Sequence, residues 1–151
     1  MATTRDAPSN AEVAAWRSFI TAYSRLTDVL ERELQAERDM PLTWYDVLVV
    51  LQEAPGQQLR MHDLAEQVLL SRAGLTRLVD RMTTAGLVER IPCPEDRRGT
   101  YVRITNSGRK ANLEAAPVHL GGVREHFTRH LSAKELSAMR TAFDRVVEGL
   151  K

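Results

Sequence analysis

The spacing of apolar side chains changes abruptly at Gly86, and that change constrains the fold more than any other feature of the chain. Before it, Leu64, Ala65 and Val68 mark a short helix from about Met61 to Val68. Leu75, Leu78, Val79 and Met82 mark a second, at intervals of three and four. Only Leu69-Leu70 connects them. Ser71 supplies an N-cap for the second helix, and Gly86 ends it, since glycine enters the left-handed region without steric cost. After Gly86 the period falls to two. Leu87 to Ile91 and Tyr101 to Thr105 read as strands, joined by the charged, turn-rich run Pro92-Cys93-Pro94-Glu95-Asp96-Arg97-Arg98-Gly99-Thr100. Two helices across a tight turn, the second with a polar outer face, followed by a β-hairpin, predict a winged helix-turn-helix.

Helical patterns flank this unit. Val13, Trp16, Ile20, Tyr23, Thr27, Leu30 and Leu34 form a long stripe, widened by Phe19, Leu26 and Val29 and closed by Pro41. A second helix starts at Thr43, its cap, with Asp46 in a capping-box position; it buries Val47, Leu48, Val50 and Leu51 and stops at Pro55-Gly56. Beyond the hairpin, Leu113, Ala116, Leu120, Val123, Phe127 and Leu131 give another stripe, expected to kink near Pro117 and Gly121-Gly122. Ser132 and Glu135 form a capping box for a last helix with Leu136, Met139, Phe143, Val146 and Leu150 on one side. The fold class is α+β, mostly α. A single domain over 1–151 is expected, with a winged-helix part at about 43–105 and a helical frame at about 10–40 and 106–151. The terminal helices are longer and more apolar than a lone winged helix needs, and a C2 homodimer built from them covers that surface economically.

Composition removes other classes. The 151 residues are one domain's worth, and 43% hydrophobic with 27% charged residues excludes disorder, collagen and low-complexity sequence. No apolar run approaches the ~20 residues of a membrane span, and Met1 to Asn10 has no apolar signal core, so a cytoplasmic setting without membrane association is expected. One cysteine excludes a disulfide framework and a cysteine-based zinc cluster. The formal net charge of +1 conceals a division: Arg60 to Lys110 carries 10 Lys/Arg against 6 Asp/Glu, the remainder 11 against 14. A basic middle between acidic flanks suits a polyanion such as DNA.

The run LSRAGLTRLVDRMTTAGLVER followed by CPEDRRGTYVRIT resembles the MarR family of dimeric winged-helix transcriptional regulators, and the likeness extends over nearly the whole chain. It implies a homodimer on double-stranded DNA with a pseudo-palindromic site, acting as a repressor. In the family pattern Arg98, two residues after Asp96, is the wing arginine that enters the minor groove, with the aspartate holding its guanidinium. A planar, always-charged fork suits that narrow, negative groove. Arg97 and Arg90 are expected phosphate contacts, as are Arg60 and His62 at the start of the preceding helix. The recognition helix presents Ser71, Arg72, Ala73, Thr76 and Arg77; Arg72 and Arg77 are placed to read guanine, and Thr76 a thymine methyl or a phosphate.

Members of the family commonly release DNA on binding small aromatic acids or on oxidation. Trp16, and Asp46 after Trp44-Tyr45, resemble the ligand positions of its urate-responsive branch, so Trp16, Tyr45 and Asp46 are the ligand-binding candidates. That branch has an arginine one position beyond Arg77, where this chain has Leu78, and an anionic ligand loses that partner. Cys93, between two prolines and near Arg90, Glu95 and Arg97, is read as an incidental exposed thiol, with oxidation sensing as the alternative. His119, His126 and His130 are read as surface or interface histidines on one helix face; holding zinc would require a third ligand from elsewhere. No metal site and no cofactor are expected. A phosphate-binding glycine loop, a His-Glu-x-x-His motif and a nucleophile elbow are all missing from the sequence, so no enzyme is expected. The remaining alternative is a winged helix used only for protein contacts.

Overall fold

The computed structural model describes residues 6–68, Leu70 and residues 72–151, with Arg72 known by its backbone alone. Among the described residues, six α-helices and three strands follow in the order α1 (Asn10–Arg38), α2 (Leu42–Glu53), β1 (Gln58–Arg60), α3 (Met61–Val68), α4 (Arg72–Thr84), β2 (Val88–Pro92), β3 (Thr100–Ile104), α5 (Asn106–His126) and α6 (Ala133–Glu148). Two compact units result. One comprises Glu33–Gly121; the other comprises the chain up to Arg32 together with Gly122–Lys151. No described helix is long and apolar enough to cross a membrane.

The Glu33–Gly121 unit contains a winged helix-turn-helix, flanked by the end of α1 and most of α5. Its core is built around α2, which is apolar nearly all round, as a helix enclosed by its neighbours must be. Val47, Leu48 and Leu51 are fully buried with Leu34, Leu64, Leu75, Val79 and Met82. Each such side chain contributes about 1.5–3 kcal/mol by leaving water. The three strands are antiparallel in the order β1-β3-β2, with Arg60 opposite Tyr101, Val88 opposite Ile104 and Pro92 opposite Thr100. Along β3 the pleat turns Val102 and Ile104 into the core and Arg103 outward.

The join between α4, the hairpin and α5 is tightly specified. Gly86 adopts φ 77°, and the Leu87 N–H reaches back to the Met82 carbonyl at 3.0 Å, a left-handed helix ending. The Thr105 hydroxyl donates to the Gly86 carbonyl at 2.6 Å and accepts from the Gly108 N–H at 3.0 Å, capping α5. A Cβ at Gly108 would lie 2.1 Å from the Leu87 carbonyl oxygen, so the helix approaches β2 too closely for any other residue.

Several expectations need correction. Helix α2 begins at Leu42, with Pro41 as its N-cap and no side-chain cap bond, so Thr43 is already inside the first turn. Proline sets an extended entry (φ −61°, ψ 141°), and its carbonyl accepts from the Trp44 and Tyr45 N–H groups. Strand β1 was not expected; three residues show no alternation, and they form a strand only because β3 offers an edge. Helix α5 continues as one element through Pro117 and Gly121-Gly122, where the sequence places a kink. Both Pro117 and Leu113, whose carbonyl the missing N–H would have met, are exposed, so water can take that carbonyl. The helix also ends at His126, and Thr128–His130 is a short 3-10 turn, so His130 does not share a helix face with His119. The Ser71 cap and the Leu69 half of the connection lie outside the described residues.

In the second unit, Ser132 and Glu135 form the expected reciprocal capping box on α6. Phe19 packs on Phe143 with ring centroids 5.0 Å apart, and on Trp16 at 5.9 Å. No residue of α6 is buried. Trp16, Tyr23, Val146, Val147 and Leu150 each expose more than half of their surface within the single chain.

Candidate nucleic-acid interface

Helix α4 buries Leu75, Val79 and Met82 and turns Ala73, Thr76 and Arg77 to solvent, which is the face the sequence assigned to recognition. The side chain of Arg72 and the whole of Ser71 lie outside the described residues. Beside α4, the hairpin loop and the start of α3 enclose an open groove of about 430 Å³ that brings together Arg60, His62, Thr76, Asp96 and Arg98. Residues separated by nearly forty positions thus converge because β1 is stitched to β3 and α3 leaves directly from its end.

The loop is a small closed structure of its own. The Cys93 N–H donates to the Gly99 carbonyl at 3.1 Å, Gly99 to Asp96 at 2.9 Å, and Asp96 to Cys93 at 3.3 Å. The Asp96 carboxylate accepts from the backbone N–H of Arg98 at 3.0 Å, an Asx-type turn. The aspartate therefore fixes the main chain that carries Arg98, where the sequence reading had it holding the guanidinium. Arg97 and Arg98 are exposed.

Three of the expected phosphate contacts have protein partners. Arg90 on β2 pairs with Asp80 on α4 at 2.5 Å, tying the hairpin to the recognition helix. Arg60 is held from three directions: by the Cys93 sulfur at 3.4 Å, by the Glu95 carboxylate at 3.5 Å, and over the Tyr101 ring at 5.7 Å from its centroid. The hydrogen bond that its guanidinium donates to the Tyr101 side chain keeps Arg60 even more firmly protonated than usual. His62 lies 3.3 Å from Glu66, one helical turn away. Cys93 is 4% exposed, which corrects the expectation of an exposed thiol. The loop folds over it, and Gly99 sits where its Cβ would lie 3.3 Å from that of Cys93.

Asp80, Glu95 and Tyr101 were missed as partners because each pairing depends on how helix and hairpin pack, which no local spacing announces. Among the described residues, His62, Asp63 and Glu66 have potential ligand atoms within 4.8 Å of one another, a grouping common on helix surfaces that bind no ion.

The ligand candidates fall in different units. Trp16 is exposed in the helical unit, whereas Tyr45 is buried in the other, its ring 4.6 Å from that of His119. Burial, then the charges of Asp46 and Glu53, push the Tyr45 phenol above its ordinary range. Asp46 is exposed on α2 as its fifth residue, past the first turn and so outside the capping-box position expected of it. The Nδ1 of His119 is buried without a hydrogen-bond partner, and burial pushes that imidazole below its ordinary value.

A sequence model of the MarR family matches residues 38–99. The multiple antibiotic resistance protein MarR of Escherichia coli is 27% identical over 85 residues, 56% of this chain, and the match spans 59% of that relative's length. AbsC, a MarR family transcriptional regulator from Streptomyces coelicolor, superposes with a TM-score of 0.88 at 33% identity, covering 97% of this chain and 98% of AbsC. Sco3205, a MarR family regulator from the same organism solved in complex with DNA, superposes with a TM-score of 0.90 at 34% identity, covering 96% of this chain and 94% of Sco3205.

Proposed function

The chain belongs to the MarR family, and from that premise we propose that it is a sequence-specific DNA-binding repressor acting in the cytoplasm as a homodimer. The observation that carries the reading is the groove face, where the outward side of α4 stands next to a self-braced loop with Arg97 and Arg98 at its tip. A helix of this kind enters the major groove and reads base edges, while the loop arginine reaches the adjacent minor groove. The exposed Trp16, Tyr23, Val146, Val147 and Leu150 support a second copy as partner, since so much apolar surface is costly in water. A two-fold dimer then places two recognition helices about one helical turn apart on a pseudo-palindrome.

Release by a small aromatic acid is the finer part of the proposal. It is supported by the Tyr45–His119 ring pair with its unpartnered nitrogen, a polar atom in an aromatic setting.

The test is selection of duplexes from a random-sequence pool, followed by fluorescence anisotropy of the selected duplex across a salt series. Specific binding is expected, with log affinity falling by about 0.9 per phosphate contact for each unit of log salt. Sedimentation should give twice the chain mass. Failure to enrich any duplex with a folded protein would overturn the reading, and salicylate as a probe should weaken binding if the effector part is right.

A further inference from the structure

We infer that Arg60 is the positioning residue of the loop, fixing where Arg98 meets DNA, and that it is not a phosphate contact. This rests on Arg98 being the loop's DNA contact. In the order β1-β3-β2, the loop leaves from β2 and returns on β3, so among the described residues its backbone hydrogen bonds are those of its own hairpin. Arg60 ends β1, on the far side of β3, opposite Tyr101. Its side chain crosses that strand and reaches the loop's outgoing limb, meeting Cys93 at 3.4 Å and Glu95 at 3.5 Å, with its guanidinium above Tyr101 on the returning limb. One planar group therefore joins both limbs to the start of α3.

The loop is stiff enough to transmit that restraint. Its bonds among Cys93, Asp96 and Gly99, with the Asp96 carboxylate on the Arg98 amide, make Cys93–Gly99 a single body. Fixing Cys93 and Glu95 fixes Arg98. The Nη2 of Arg60 serves both Cys93 and Glu95, which turns that end of the guanidinium toward the loop. Lysine would not replace it, because a point charge cannot contact a sulfur, a carboxylate and a ring face in one plane.

Two measurements test this, one without DNA. In the free protein, Cys93 is 4% exposed and lies under Arg60. Arg60→Ala, and separately Glu95→Gln, should raise its reaction rate with an aromatic disulfide reagent, about 10-fold for Arg60→Ala, while the circular dichroism spectrum stays unchanged. An unchanged rate would overturn the inference. The second is a double-mutant cycle with Arg98→Ala on the selected duplex and on the same duplex with the A·T pairs under the loop replaced by G·C. Arg60→Ala should weaken binding about 10-fold, abolish the preference for A·T, and cost almost nothing in the Arg98→Ala background. Arg60→Lys should behave like Arg60→Ala. An Arg60→Ala loss that persists in full without Arg98, with A·T preference intact, would make Arg60 a direct phosphate contact and overturn the inference. If the wild-type protein selects no duplex, the DNA reading fails while the thiol result still judges the brace.

Discussion

Gly108→Ala isolates one physical claim, that α5 can leave the hairpin only by passing its backbone against Leu87. The added Cβ would lie 2.1 Å from the Leu87 carbonyl oxygen and 2.8 Å from Cγ1 of Ile104. The Ile104 side chain can give a little, but the carbonyl is main chain and already accepts from the Thr105 N–H at 3.1 Å. Relief requires the first turn of α5 to move by about 1 Å, which also loosens the 3.0 Å cap from Gly108 to Thr105. Overpacking of this kind costs up to about 3 kcal/mol and the weakened hydrogen bond about 1 kcal/mol. Alanine's helix preference returns about 1 kcal/mol, leaving a net loss of about 3 kcal/mol. For a chain of this size that is a fall in Tm of about 6–12 °C. Gly121→Ala is the internal control on the same helix, because no atom lies within 4 Å of its Cβ position. It should be neutral or stabilising by up to about 1 kcal/mol. Urea unfolding followed by circular dichroism, with all variants at one chain concentration because a dimer's stability depends on it, gives both values. A Gly108→Ala protein as stable as the wild type would refute the close-approach argument, and equal losses at both positions would refute its locality.

Three further outcomes are expected. Ser132→Ala should destabilise α6 by about 1 kcal/mol, seen as reduced helicity at intermediate urea, since both halves of the capping box are present; full stability would mean the box is idle. His119, lowered by burial, takes up its proton more readily in the unfolded chain. Stability should therefore fall as pH drops below the ordinary histidine value of 6.5, and His119→Phe should flatten that part of the profile; an identical profile would place the titration elsewhere. Asp80→Asn should change stability by less than about 1 kcal/mol, because its pair with Arg90 is half-exposed, yet tighten DNA binding by removing a negative charge beside the duplex. Weaker binding would mean that the pair orients the recognition helix.

What could be read from the sequence follows the range of the physics involved. Met61–Val68 was placed to the residue, and Gly86 and the Ser132 box were recognised, because periodicity and capping act within a few positions. Strand β1 was missed because Gln58-Leu59-Arg60 has no pattern of its own and is a strand only through Val102 and its neighbours. Thr43 was misplaced because two capping chemistries, a polar side chain and a proline, stood two residues apart. The arginines of the site were found by charge, but charge alone does not say which are already engaged. Arg90 and Arg60 find Asp80, Glu95, Cys93 and Tyr101 only once helix and hairpin are packed. The burial of Cys93 was hidden for the same reason, since a sequence of prolines and charges looks like exposed loop even when its backbone closes over a thiol.

The small sheet has a consequence for crowded solution. A three-stranded sheet has two open edges, and an open edge is an invitation to another chain's strand. Here β1 offers only three residues, too few to template a lasting pairing. The other edge, β2, carries Glu89 bound to Arg103 and Arg90 bound to Asp80, and it finishes in Pro92, which has no N–H to give. The folded chain can therefore reach high concentration without either edge of its sheet recruiting a neighbour's strand.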